Sequence, residues 1–201
     1  MIRVLIAEDM HMIRSALVAL LSLEDDIEVV AELARGDQVV DAARRTRPDV
    51  AVLDIDMPGL DGLAVAAQLR RELPDCRALI LTGLSRPGHL LRALQAHALG
   101  FIVKNKPAAS LVDGVRRVAR GERVLDPELV AAALETGASP LTPRETDVLR
   151  AADSGISTEE IATTLFLSPA TVRNYLSHAI TKVGARNRID AIRIARDAGW
   201  L

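Results

Sequence analysis

Aromatic residues are almost missing from this chain: one Trp, one Tyr and two Phe among 201 residues. An interior cannot be built around rings on that supply, so Ala, Leu, Val and Ile must fill it, as in helix-rich α/β proteins. Cysteine is scarcer still. Cys76 stands alone, which excludes an internal disulfide and points to a reducing compartment. No apolar run approaches the ~18 residues of a membrane span. Glu8 and Asp9 interrupt the N-terminal apolar stretch before a signal-peptide core forms, so the expected location is the cytoplasm. Internal repeats and low-complexity segments are also absent. What is present is 49% hydrophobic and 26% charged residues, enough for real cores and a solvated surface. The net charge of −2 hides a partition: residues 141–167 carry 2 basic and 5 acidic side chains, and residues 168–201 carry 6 and 2.

Short apolar runs near 3–7, 28–32, 50–53, 78–81 and 101–103 alternate with segments of helical period near 10–22, 37–46, 62–72, 87–97 and 108–120. Strict β/α alternation predicts an α/β domain with a doubly wound, five-stranded parallel sheet over residues 1–121. Near-continuous Val, Ile and Leu in the middle strands agrees, because such strands are covered on both faces. Residues 122–140 break the pattern and read as a linker, with a short helix opened by Asp126-Pro127 and ended by Gly137-Ala138-Ser139-Pro140. Residues 141–201 predict a small all-α domain of four helices. Thr142-Pro143-Arg144-Glu145 and Ser157-Thr158-Glu159-Glu160 are capping boxes, the second opening a helix that runs through Phe166. Ser168-Pro169 and Asn187 open the third and fourth helices, and Gly155, Gly184 and Gly199 mark stops.

Four predicted strands end in chemically capable side chains: Glu8-Asp9, Asp54, Thr82 and Lys104. In a parallel sheet those ends share one edge, where ligands bind. Clustered carboxylates without His or Cys favour a hard cation, and Glu8, Asp9 and Asp54 suit Mg2+. A metal-held carboxylate beside a lysine is the equipment of phosphoryl transfer. Asp54 is the candidate nucleophile, Lys104 neutralises phosphoryl oxygens, and the Thr82 hydroxyl donates a hydrogen bond to one of them. Asp61, before Gly62, reads as a helix cap.

Glu8-Asp9, Asp54 with Met57-Pro58-Gly59 and Asp61-Gly62, Thr82, and Lys104 with Pro107 together resemble the receiver domain of bacterial two-component response regulators. The resemblance covers about residues 1–121 and implies a flavodoxin-like fold. It further implies that Asp54 accepts a phosphoryl group from a sensor histidine kinase, with the Asp56 backbone carbonyl as a further metal ligand. Phe101 matches the aromatic switch position and Thr82 its hydroxyl partner. Gly83 and Asn105 depart from the residues usual there without removing a chemical role.

In the third helix of the second domain, Val172, Leu176, Ala179 and Val183 form an apolar face, opposite Ala170, Arg173, Asn174, Ser177, His178 and Thr181. A small, polar, basic front suits a DNA major groove. The preceding short helix and the Leu167-Ser168-Pro169 joint have helix-turn-helix spacing. Leu141-Thr142-Pro143-Arg144-Glu145, Ile161-Ala162, Thr171-Val172-Arg173-Asn174-Tyr175 and Lys182-Val183-Gly184-Ala185-Arg186-Asn187-Arg188 are similar to the LuxR-type DNA-binding domain, and the whole chain resembles the NarL/FixJ class of response regulators. The resemblance implies that Arg173 and Asn174 reach the groove of double-stranded DNA, that Thr171, Lys182 and Arg186 hold phosphates, and that Ser177 lies on the same front.

The function expected is a phosphorylation switch: Thr82 moves toward phosphorylated Asp54, Phe101 repacks inward, and the surface around 86–121 changes its partner. Two chains then pair, through helices 10–22 and 108–120 on family analogy, and act on DNA as a transcription-controlling homodimer rather than an enzyme. The rival is an enzyme, because Asp54-Ile55-Asp56 with Thr82 and Lys104 also resembles the order in haloacid-dehalogenase phosphatases. Pro58, and metal acids that precede Lys104, speak against that class.

Overall fold

A computed structural model describes residues 1–83, 87–136 and 139–201; Arg86, Gly137 and Ala138, which figure in the expectations above, lie outside the described residues. The first unit reaches Val130. It alternates β1 (Ile2–Ala7), α1 (His11–Ser22), β2 (Ile27–Leu33), α2 (Val39–Thr46), β3 (Val50–Leu53), α3 (Gly62–Glu72), β4 (Arg77–Thr82), α4 (Pro87–Gln95), β5 (Gly100–Val103) and α5 (Ala108–Ala119). The sheet order is β2-β1-β3-β4-β5 and every pairing is parallel. Because β1 takes β2 on one side and β3 on the other, the order reverses there, and the carboxyl ends of β1 and β3 flank the crevice this reversal opens.

The sheet is apolar on both faces. Val4, Ile6, Val50, Val52, Leu79, Leu81 and Ile102 pack with Leu21, Leu111, Val115 and Val118 in one cluster. The alternate residues Leu5, Ala51, Leu53, Ile80 and Phe101 are equally buried, and strand alternation puts them on the other face. The strands β1, β3, β4 and β5 are therefore dry in the middle with polar residues at their ends, whereas β2 carries exposed Glu28 and Glu32. Cys76 is buried just before β4, at the sheet edge away from the carboxyl ends, and burial pushes its thiol up to about 12.

The start of the expected linker is tied into this unit. Val124 pairs with Gly100 in a parallel bridge, donates to Leu99 O at 2.8 Å and accepts from Phe101 N at 2.8 Å. The free edge of β5 thus gains a short partner. Lys106 holds Asp126 at 2.7 Å, and Asp126 accepts from Glu128 N at the start of α6 (Pro127–Thr136).

The helical unit contains α7 (Pro143–Asp153), α8 (Thr158–Leu165), α9 (Pro169–Lys182) and α10 (Arg188–Asp197). Both capping boxes form, and the Ser168 and Asn187 side chains cap α9 and α10. Gly155, Gly184 and Gly199 follow their helices with positive φ, which glycine adopts without a Cβ penalty. Val148, Leu149, Ile161, Val172, Leu176, Ala179, Ala191 and Ala195 form the core. The helix expected through Phe166 stops at Leu165. Phe166 itself turns left-handed, with φ 55° and ψ 47°, and its ring is 95% exposed.

Candidate functional site

β1, β3, β4 and β5 deliver the expected residues to one edge. Ala7 pairs with Leu53, and Asp54 N donates to Ala7 O, so Glu8 and Asp54 leave the sheet side by side. Glu8, Asp54 and Thr82 are buried, at 1%, 6% and 1% exposure, whereas Asp9 is exposed. Carboxylate oxygens of Glu8, Asp9 and Asp54 all lie within 4.8 Å of one another. Lys104 Nζ sits 2.7 Å from Glu8 Oε2 and 3.0 Å from Asp54 Oδ1.

Three carboxylates and one ammonium leave the cluster short of positive charge. Glu8 Oε1 accepts from Met10 N at 3.2 Å, but buried Oε2 receives no hydrogen bond of good geometry, with the Lys104 ammonium 2.7 Å away. A hard divalent cation fits such an all-oxygen, partly orphaned set. Burial pushes the Asp54 carboxyl up to about 6, against the pull of Lys104 and with the push of Glu8. Burial opposes the charge on Lys104 as well, yet the two carboxylates raise its pKa above the ordinary value.

The Asp54 loop is held by close backbone contacts. A Cβ on Gly62 would lie 1.9 Å from Asp54 O, and one on Gly36 would lie 1.8 Å from Leu60 O. Gly36 N also donates to Pro58 O, and Gly62 N to Ile55 O. Asp61 caps α3 through Ala64 N at 2.7 Å, as expected. The Asp56 side chain is exposed. Phe101 pairs with Ile80, and Val103 with Thr82, so Phe101 shares the sheet face of Thr82, diagonally one strand away. The ring is already inward, at 2% exposure.

On α9, Arg173, Asn174, Ser177 and His178 are exposed along one face. Thr171 is tied to the cap, its Oγ1 2.8 Å from Ser168 Oγ. The basic residues of 168–201 are far less free than their number implies. Lys182 is bound to the buried Glu145 at 2.8 Å. Arg188 donates to Ala152 O and Ile156 O. Arg186 and Arg193 hold Asp190, and Arg196 pairs with Asp153. The Arg186 backbone N–H, with Arg193, pulls the Asp190 carboxyl down to about 2. Among the described residues of this stretch, Arg173 is the basic side chain without such a partner.

Comparison with known families gives two matches: the response regulator receiver domain over residues 4–116, and the luxR family of bacterial regulatory proteins over residues 139–195. The chain belongs to the NarL/FixJ class of two-component response regulators. It is 42% identical over 200 residues to the transcriptional regulatory protein DesR of Bacillus subtilis, covering 100% of this chain and 99% of DesR. It is 43% identical to the response regulator RamR of Streptomyces coelicolor, again over 200 residues, with 100% and 98% covered. Among solved structures, ChrA of a heme-sensing two-component system matches with TM-score 0.60 and 34% identity over 100% of this chain and 98% of that one. The RcsB–DNA complex matches with TM-score 0.69 and 25% identity over 98% of each. This response regulator therefore pairs a kinase-addressed receiver with a LuxR-type DNA-binding domain, and its relatives are transcriptional regulators. No helix among the described residues is long and apolar enough to cross a membrane.

The sequence had not singled out Arg14, Gly36 or Asp190. Arg14 bonds main-chain carbonyls, Gly36 acts by the room it leaves, and Asp190 depends on two arginines of its own helix region. Only Asp190, three residues after the Asn187 cap, carried a local signal.

Proposed function

We propose that Asp54 is the phosphoacceptor of this response regulator and that its phosphorylation controls dimerisation and DNA binding. The observation that carries the reading is Lys104 Nζ held within 3.0 Å of both Glu8 and Asp54 beside the three-carboxylate cluster. An Asp54 oxygen attacks the phosphorus of a kinase phosphohistidine; the P–O bond forms, the P–N bond breaks, and the electron pair returns to the imidazole. Lys104 would neutralise a phosphoryl oxygen, and the Thr82 hydroxyl would donate a hydrogen bond to another. Glu8, Asp9 and Asp54, with the Asp56 backbone carbonyl, would hold Mg2+, which supplies neutralising charge to the phosphoryl oxygens when bound.

Phosphorylation shifts a pre-existing equilibrium by differential stabilisation. The shared face of Thr82 and Phe101 supports that pair as the route from Asp54 to the output surface. Dimerisation then sets two α9 helices on half-sites about one turn of DNA apart. Arg173 and Asn174 read the groove, Ser177 contributes to the same front, and Thr171, Lys182 and Arg186 approach phosphates. The chain acts in the cytoplasm, where the kinase histidine and chromosome are both within reach, as a receiver of signal and not an enzyme. The functional domains are 1–121 and 141–201, joined by 122–140, whose start is tied to the first of them through Val124 and Asp126.

Incubation with acetyl phosphate and MgCl2 should add one phosphoryl group to the wild type and none to Asp54→Asn; labelling that persists in the variant sinks the assignment. Arg173→Ala should weaken DNA binding by about tenfold or more with labelling unchanged. Unaltered footprints would remove Arg173 from the groove.

A further inference from the structure

Glu8 and Asp9 are consecutive, and a chain that continued as a strand would send their side chains to opposite faces. Their carboxylates nevertheless meet within 4.8 Å of each other and of Asp54. The chain must therefore turn at this point. Glu8 N still belongs to the sheet ladder, donating to Leu33 O at 3.0 Å, but the Glu8 carbonyl has left it. That carbonyl and the next one need donors. The ordinary device for fixing such a turn, a capping side chain at the start of the following helix, is missing: the N-cap of α1 is Met10, which makes no side-chain cap bond.

Arg14, one turn into α1, takes its place. Nη1 donates to Glu8 O at 2.7 Å and lies 3.4 Å from Asp9 O. The guanidinium side chain is only 14% exposed, and its Nε lies 3.9 Å from Glu32 Oε2 on β2. One planar cation thus grips the two carbonyls of the acid-bearing turn and is steadied from the neighbouring strand.

We propose that Arg14 is a positioning residue of the acid cluster, holding the Glu8-Asp9 turn in the one conformation that aims both carboxylates at the position beside Asp54 where a divalent cation binds. The inference rests on the metal-site reading above. Arg14 touches neither cation nor phosphoryl group; it acts through the backbone of two residues that do. Loss of the grip leaves the carboxylates in place in the sequence but free to diverge, and the cation then has to pay for ordering the turn. Groups that orient metal ligands typically matter by 10–100-fold in affinity. Lysine supplies a point charge on a flexible stem rather than a planar fork, so it recovers part of the grip.

The test is isothermal titration of the full-length chain with MgCl2 at neutral pH, for wild type, Arg14→Met and Arg14→Lys, with backbone hydrogen exchange at Met10. Arg14→Met should bind Mg2+ about tenfold more weakly, Arg14→Lys should fall between, and the Met10 amide should exchange faster in Arg14→Met. Wild-type affinity in a folded Arg14→Met overturns the proposal. If that variant fails to fold, Arg14→Lys decides alone: intermediate affinity supports the role and wild-type affinity refutes it. A wild type that binds no Mg2+ removes the metal site itself, and the role of Arg14 with it.

Discussion

Lys182 Nζ lies 2.8 Å from Glu145 Oε2, joining the last turn of α9 to the first turn of α7 across 37 residues. Glu145 is the buried member, 3% exposed, and its other task is to accept from Thr142 N in the capping box. The pair ties the end of α9 to the start of α7. It also engages the ammonium proposed to approach a DNA phosphate.

Lys182→Met should therefore destabilise the helical unit by about 1–2 kcal/mol, between the worth of an exposed pair and the cost of stranding a buried charge. Glu145→Gln should cost a similar amount, and the double variant less than the sum. DNA affinity should fall in Lys182→Met and its dependence on salt should lose about one unit of slope, as expected if the ammonium also approaches a phosphate. A wild-type slope in a folded Lys182→Met would confine the ammonium to Glu145 and remove it from the DNA contact.

What was legible in the sequence was what is local or repetitive. Helix caps act within three residues, so Thr142, Ser157, Ser168 and Asn187 declared themselves. Strand ends follow from apolar runs, and a parallel sheet brings its carboxyl ends together whatever lies between them, which made Glu8, Asp54, Thr82 and Lys104 readable as one group. The rest is set by tertiary approach. Val124 on the edge of β5, Arg14 on the carbonyls of Glu8 and Asp9, and Lys182 on Glu145 leave no period in the chain. A count of basic residues over 168–201 suggested an open cationic surface, because charge composition does not reveal which partners folding supplies. Phe166 looked like helix for the same reason: its propensity is ordinary, and only the geometry of the turn into α9 demands a left-handed residue.

The two glycines against the Asp54 loop should behave unlike Gly83. Gly62→Ala and Gly36→Ala press a Cβ to 1.9 and 1.8 Å from backbone carbonyl oxygens, which cannot rotate away. Each should destabilise the receiver by about 3 kcal/mol and disturb phosphoryl acceptance, since it is the Asp54 loop that must move. A Cβ on Gly83 meets nothing within 4 Å, so Gly83→Ala should be neutral or stabilising by about 0.5 kcal/mol. Denaturant midpoints for the three variants decide the matter, and equal effects would refute the packing argument.

At Phe166 the backbone is left-handed while the ring is almost wholly in solvent. The side chain therefore pays the steric cost of its φ with no burial to offset it. Phe166→Gly should stabilise the helical unit by about 1 kcal/mol, whereas Phe166→Ala, which keeps the Cβ, should change little. Urea unfolding of both variants reads the difference. Destabilisation by glycine would mean that the exposed ring contributes more than its surroundings show.

Asp54 should make the receiver pH-sensitive in an unusual direction. Its carboxyl is pushed up from 3.8 to about 6, chiefly by burial. Between about pH 4 and 6 the folded chain keeps a proton that the unfolded chain has lost. The contribution of Asp54 to stability therefore falls as pH rises through that window, by about 3 kcal/mol in all, and is level above it. Asp54→Asn has no proton to lose and should flatten that part of the metal-free stability curve; parallel curves for the two proteins would refute the assignment. The same proton competes with a cation for the carboxylate. Mg2+ affinity should accordingly weaken by about tenfold for each pH unit below about 6 and change little above it, and titrations at stepped pH on either side of that value would locate the break.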